Sequence, residues 1–254
     1  MTAGYREFEF DLPAALLAKL IEILEGMPPA LLSMGNVDAI PNEQGVYQLF
    51  LDDQLVYIGK TDGDAGLKQR LSRHSWTIQN RVNLSAAKVQ FKAVRIFVFT
   101  AVDLETQLIR HYARTGTPPA WNFSGFGSND PGRNREDTEV DADGFDARYP
   151  VDIDHTFDLP IETPATAAEV LGALKRFLPY TLRFEGVRPR SRTPHADFQN
   201  ATVTLPHKGV TVRSTLTALL TQLPPGWQAT TLPGRVIIYK ENRAYSHGTL
   251  IARS

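Results

Sequence analysis

Five side chains in the first half of this chain have the types and spacing for acid–base and electrostatic work: Tyr47, Tyr57, Arg70, His74 and Glu105. The tyrosines lie in GVYQLFLDDQLVYIGK, Gly45 to Lys60, which reads as strands Gly45–Leu51 and Leu55–Lys60 around the polar break Asp52-Asp53-Gln54. Two phenols can serve one site only if they share a face, and the face depends on loop length. A two-residue loop pairs Leu51 with Gln54 and sends the tyrosines to opposite faces. A three-residue loop pairs Leu51 with Leu55, sets Tyr57 opposite Leu49 and leaves Tyr47 as a same-face diagonal neighbour about 7 Å away. The second register is the expectation. Arg70 and His74 stand four residues apart in LKQRLSRHSWTI, a helical pattern with Leu67, Leu71 and Ile78 inward and Trp76 at its edge. That spacing stacks a permanent cation and a titratable imidazole one turn apart. Glu105 precedes Leu108, Ile109 and Tyr112 by three, four and seven residues in VDLETQLIRHYART. It therefore lies on the inward edge of an apolar stripe, where a carboxylate is costly unless it is paired or holds a cation.

These residues must be positioned by an α/β (α+β) chain. DLPAALLAKLIEILEGMPP predicts an opening helix with Leu16, Leu17, Leu20, Ile23 and Leu24 inward, Asp11 as cap and Gly26 with Pro28-Pro29 as its end, packed on the hairpin domain. Ala30 to Asn42 reads as a connector, and KVQFKAVRIFVFT, Lys88 to Thr100, as a central strand covered on both faces. Asp103 stands near the N-cap of the helix that carries Glu105. Thr115 to Arg135 is rich in Gly, Pro, Ser and Asn with Trp121, Phe123 and Phe126 interleaved. It reads either as a nucleic-acid-contacting loop or as a loop packed on its own aromatics.

Composition narrows the classes. With 254 residues, 42% hydrophobic and 22% charged, the chain has room for one large domain or two modest ones. The absence of cysteine excludes disulfides, thiolate catalysis and cysteine-held zinc, and the histidines lack HExxH spacing. The chain has no apolar run of about 18 residues and no basic or apolar leader at MTAGYREFEF, so a cytosolic protein without membrane contact is expected. The net charge is −1, but from Lys60 to Arg135 twelve Lys or Arg face five acids, an electrostatic footprint for phosphate. From Glu136 to Glu169 the sign reverses, which reads as a solvated linker.

GVY followed after eight residues by VYIGK resembles the signature of the GIY-YIG nucleases, with valine in place of the usual isoleucine. Tyr47, Tyr57, Arg70, Glu105 and Asn122 stand in that family's order, across roughly residues 40 to 135. QGVY, VYIGK, LKQRLSRH, FKAVRIFVFT, LETQLIRHY and WNFSGFGSNDPGR look like the type II restriction endonucleases of this superfamily that cut CCGCGG. The resemblance implies a GIY-YIG fold, a small central antiparallel sheet flanked by helices; it fades beyond Arg135, where the residues themselves read as a second small α/β domain entered at Asp158 to Thr166. The implied division is an N-terminal helical extension over 1–40, a nuclease domain over 41–150 and an accessory domain over 151–254.

It also implies Mg²⁺-dependent hydrolysis of double-stranded DNA by a homodimer paired with a cognate DNA methyltransferase. Glu105 would hold the metal, Arg70 the phosphate, and Tyr57 would orient the nucleophile while Asn122 fixes geometry. Either Tyr47, its pKa lowered by Lys60 or Arg70, or His74 would take the proton. Arg73, Asn129, Arg133 and Arg135 would contact DNA. Open beside this stand a nicking or repair nuclease of the same fold, a DNA-binding module without cleavage, and a globular protein with a chance match.

Beyond Arg135 the pattern is α-β-β-α-β-β: helix Ala167–Leu178, strands Tyr180–Glu185 and His195–Leu205, helix Val210–Leu223, and a hairpin Trp227–Lys240 turning at Pro233-Gly234. Val203 to Tyr239 is loosely similar to secretin and TonB N-terminal-type modules, with no function implied. This half is expected to assist DNA contact or assembly. RPRSR, Arg188 to Arg192, reads as an exposed basic loop or a backbone contact.

Overall fold

A computed structural model describes residues 4–61, 65–97, 103–116, 118–126, 136, 140–189 and 191–254. The chain forms two compact units, Met1–Ser75 with Ser85–Phe123, and Trp76–Leu84 with Ser124–Ser254.

In the first unit α1 (Leu12–Gly26) starts where the Asp11 side chain accepts from the Ala14 N–H, as the sequence predicts. Its inward stripe is Leu17, Leu20, Ile21 and Leu24, whereas Ile23 is exposed. The connector is not irregular throughout. β1 (Ala30–Leu31) joins the sheet edge, and α2 (Met34–Asp38) follows, capped by Ser33. β2 (Gly45–Leu51), β3 (Gln54–Lys60), α3 (Leu67–Gln79, with Trp76–Gln79 counted in the second unit), β4 (Val89–Arg95) and α4 (Leu104–Thr115) complete the unit. The antiparallel sheet has the order β1-β4-β2-β3, which makes β4 internal as expected and β3 an edge. Val46 and Ile58 on one sheet face bury against Leu20 and Leu24 of α1 and Leu104 and Leu108 of α4. Because side chains alternate along a strand, Tyr47 points to the opposite face.

The hairpin settles the register in a way neither loop length anticipated. Asp52 and Asp53, at φ +47° and +64°, make a two-residue turn, and Leu51 pairs with Gln54 rather than Leu55. The register then shifts between Leu49 and Phe50, because Val56 is an extra residue on β3, so Tyr57 still stands opposite Leu49 and on the face of Tyr47. The bulge does what a third loop residue would have done.

In the second unit α5 (Phe145–Arg148), β5 (Ala165–Thr166), α6 (Ala167–Phe177), β6 (Thr181–Phe184), α7 (Ala196–Asn200), β7 (Thr202–Val203), α8 (Val212–Leu220), β8 (Trp227–Leu232), β9 (Arg235–Lys240) and β10 (Thr249–Arg253) form a sheet of order β10-β8-β9-β6 and a two-stranded β5-β7 pair. Val170, Leu171, Leu174, Leu216, Leu220 and Ile238 are among its buried core. The predicted strand His195–Leu205 opens as α7 and is a strand only over β7. The His195 imidazole caps α7 by accepting from the Asp197 N–H at 3.1 Å, and Phe198 buries against Trp227 with ring centroids 4.3 Å apart. The expected linker is also partly structural. Glu136, 5% exposed, pairs with Arg183 at 2.9 Å and accepts from the Tyr239 hydroxyl at 3.1 Å. Arg81 pairs with Asp146 at 2.7 Å, and the Val82 N–H donates to the Pro150 carbonyl at 2.8 Å. These contacts lie within the second unit, which takes in Trp76–Leu84 and Ser124–Ser254. Among the described residues no helix is long and apolar enough to cross a membrane.

Asp53 holds a left-handed backbone that glycine adopts without strain. Asp53→Gly is expected to raise stability by up to about 1 kcal/mol, read as a melting temperature a few degrees higher. A lower melting temperature would show that the turn draws its geometry from the aspartate side chain.

Candidate functional site

The site is built where β2, β3 and α3 bring three rings together. Ring centroids lie 6.0 Å apart for Tyr47–Tyr57 and 5.5 Å apart for both Tyr47–His74 and Tyr57–His74. Tyr47 is opposite Gly59, and a Cβ there would fall 2.4 Å from the Tyr47 Cζ and hydroxyl oxygen. The missing side chain of Gly59 is thus the space that the Tyr47 phenol occupies. From it the hydroxyl reaches His74 Nε2 at 2.8 Å. Tyr47 and His74 are both buried, so His74 is no surface histidine.

Burial sets the charge states. It pushes the Tyr47 phenol far above its usual range, with the neighbouring Tyr57 adding to the rise and Arg70 opposing it. Burial likewise raises Tyr57, helped by Glu105. His74 is driven the other way, from 6.5 to about 3, by burial and then by Arg70 and Arg73. The pair is therefore a neutral phenol and a neutral imidazole at physiological pH. With the imidazole proton on Nδ1, Tyr47 donates and Nε2 accepts. A preformed Tyr47 phenolate, one of the two expected bases, is disfavoured.

Glu105 lies in the first turn of α4, half-buried. Its carboxyl is raised by burial, with Lys60 and Arg70 opposing and Asp103 reinforcing the shift. Lys60, the other cation expected to act on Tyr47, stands toward α4. It pairs with Asp103 at 3.0 Å, at the carboxylate end of the site. Asp103 caps α4 and bonds Thr106, and those hydrogen bonds with Thr106 and Lys60 hold its carboxyl below the usual range. Arg70 influences Tyr47, Tyr57, His74 and Glu105 alike, and its Nε is buried with no hydrogen-bond partner among the described residues. A buried cationic donor left unsatisfied is suited to an anion.

A hard divalent cation that retains most of its water needs only one or two protein carboxylates. Half-buried Glu105, with its ionised form disfavoured by burial and Asp103 beside it, fits that requirement. Among the described residues no cluster of three or more His, Asp or Glu offers a full cage.

Asn122 stands apart from the rings and acts on the backbone. Its amide donates to the Ile58 carbonyl at 2.7 Å and accepts from the Ile58 N–H at 2.8 Å, and the Trp121 N–H donates to the Val56 carbonyl at 2.7 Å. The strand that carries Tyr57 is thereby fixed on both sides of that residue. Arg73 is exposed on α3 next to His74. Asn129, Arg133 and Arg135 lie outside the described residues. Sequence reasoning passed over Gly59 and took Asp103 for a helix cap alone, although glycine opposite an aromatic on a strand signals a close approach.

No protein-family model matches this chain, and no curated protein matches it.

Two outcomes follow from this geometry. Gly59→Ala is expected to displace Tyr47 and break its bond to His74. A shifted His74 imidazole resonance with the overall fold retained would report this, and an unchanged resonance would refute the close-approach assignment. His74 binds a proton in the unfolded chain below 6.5 but in the folded chain only near 3. Stability should therefore rise with pH across that interval, and His74→Gln should flatten the rise in urea titrations. An equal slope in the variant would refute the neutral buried imidazole.

Proposed function

We propose that this chain is a nuclease of the GIY-YIG type that hydrolyses phosphodiester bonds in duplex DNA with Mg²⁺, acting as a site-specific type II restriction endonuclease. The observation that carries the nuclease reading is the convergence of Tyr47, Tyr57 and His74 within 5.5–6.0 Å under the field of Arg70 and Glu105. Of the residues the signature names in order, Tyr47 and Tyr57 meet in this cluster, Arg70 and Glu105 act on both phenols, and Asn122 holds the strand of Tyr57; the small antiparallel sheet with helices supports the same fold. The choice of restriction enzyme, and of a CCGCGG-like palindrome, rests on the likeness of LKQRLSRH and the segments around it. Cutting both strands of a palindrome with one site per chain calls for a two-fold dimer.

In this reading Arg70 binds the scissile phosphate through its free donor. A phosphate there offsets the Arg70 charge and raises the proton affinity of His74. Tyr47 then passes its proton to His74 Nε2 as it takes one from the attacking water, so neither group has to be charged beforehand. Tyr57 orients the water, and Asn122 holds the strand on which Tyr57 stands. Mg²⁺ bound at Glu105 would neutralise the phosphate and stabilise the leaving 3′-oxygen. The leaving 3′-oxygen takes a proton from solvent to become the 3′-hydroxyl, and His74 returns its own proton to solvent after release of the 5′-phosphate, so the count closes.

A digest of unmethylated phage-sized DNA with Mg²⁺, run beside Glu105→Ala, tests the proposal. Discrete fragments whose ends map to one palindrome are expected, with methylation of that site conferring resistance. Glu105→Ala should lose cleavage by at least about 10³-fold while still binding DNA. Retained cleavage would overturn the metal assignment. Nicks or a smear that require Glu105 would favour a repair or non-specific nuclease, and no cutting by the wild type would overturn the nuclease reading.

A further inference from the structure

Between Glu185 and Asp197 the sequence GVRPRSRTPHA carries three arginines and no acid. The structure makes a closed loop of it. The His195 N–H donates to the Glu185 carbonyl and the Val187 N–H to the Thr193 carbonyl, both at 3.1 Å. At the tip the Ser191 N–H donates to the Arg188 carbonyl at 3.0 Å, and the Thr193 N–H to the Ser191 hydroxyl at 3.1 Å. A Cβ at Gly186 would fall 2.8 Å from the Ser191 carbonyl oxygen and 2.9 Å from that of Thr193, so the limbs approach as closely as glycine alone permits. The stem is anchored where the Glu185 N–H donates to the Ile238 carbonyl of β9 at 3.2 Å.

The flanking carboxylates are held by hydrogen bonds. Glu185 accepts from the Lys240 N–H at 3.1 Å, and Asp197 accepts from Trp227 Nε1 and Lys240 Nζ at 2.9 Å each. Arg188 and Arg192 are exposed, and among the described residues no carboxylate pairs with either. Arg190 lies outside the described residues.

We propose that this loop is a phosphate-backbone contact, by which the second unit grips double-stranded DNA through Arg188 and Arg192. The inference rests on the nuclease reading and gives it a second, sequence-independent anchor on the substrate. A guanidinium fork matches a phosphate in two hydrogen bonds, and a loop already closed by its own bonds loses little freedom on binding. Among the described residues the exposed apolar side chains beside the arginines are Val187 and the small ring of Pro189. That composition suits a charged polymer backbone better than a peptide groove.

The test measures binding of the full-length Glu105→Ala protein to a duplex lacking the palindrome, by fluorescence anisotropy between about 50 and 200 mM salt. Arg188→Ala/Arg192→Ala in that background should flatten the plot of log affinity against log salt by about 2, near 0.9 per phosphate contact. Arg188→Lys/Arg192→Lys, which keeps both charges, should retain most of the slope and controls for loss of fold. An unchanged slope in the alanine variant, with duplex binding intact, would overturn the loop assignment and leave the nuclease reading standing. Failure of the Glu105→Ala parent to bind duplex at all would overturn both. An unchanged DNA slope with lost binding to polyglutamate would assign the loop to an acidic protein and overturn the proposal.

Discussion

The first unit depends on one buried contact, the 2.8 Å hydrogen bond between the Tyr47 hydroxyl and His74 Nε2. It joins the second strand to the helix that follows the hairpin, and it requires three independent features. Gly59 must lack a side chain, the Val56 bulge must set Gly59 opposite Tyr47, and His74 must be buried far enough to stay neutral. A change in any of these leaves a polar group inside the protein without its partner, which costs about 1–3 kcal/mol. The hairpin is therefore constrained by polar satisfaction as much as by apolar burial.

Around that bond the charges nearly balance. Arg70 is the cation that acts on all the titratable groups of the cluster, and Glu105 is the anion that acts on both phenols. Two neutral rings lie between opposite charges without being committed to either. Such a site responds strongly to whatever enters, because the low dielectric that raises the phenols also magnifies any added charge. The acidic pair Asp103 and Glu105 and the basic Lys60 set the polarity of the α4 end, while Arg73 extends the positive field along α3.

Much of this could be read from the chain. The Arg70–His74 spacing, the capping role of Asp103 and the inward edge of Glu105 follow from helical periodicity, which tertiary structure here reinforces. Register was harder. Both tyrosines share a face as expected, but a bulge rather than a longer loop achieves it, because a bulge leaves no mark in composition. Ile21 replaces Ile23 in the stripe of α1 since the two differ by less than a quarter turn from either side of the buried Leu20–Leu24 line. His195–Leu205 was read as a strand from its alternation, whereas a histidine cap and the burial of Phe198 favour a single helical turn. Glu136 was invisible as a core residue, because a buried acid is recognisable only once Arg183 and Tyr239 are known to face it.

The clamp of Asn122 on Ile58 has a consequence beyond the site. β3 is the terminal strand of its sheet, and its outward peptide groups would otherwise be available to another extended chain. The amide of Asn122 takes both the donor and the acceptor of Ile58, and the Trp121 backbone takes the carbonyl of Val56. A side chain and one peptide thus imitate a neighbouring strand without adding one. Asn122 thereby closes part of the β3 edge to strand pairing as well as fixing its geometry.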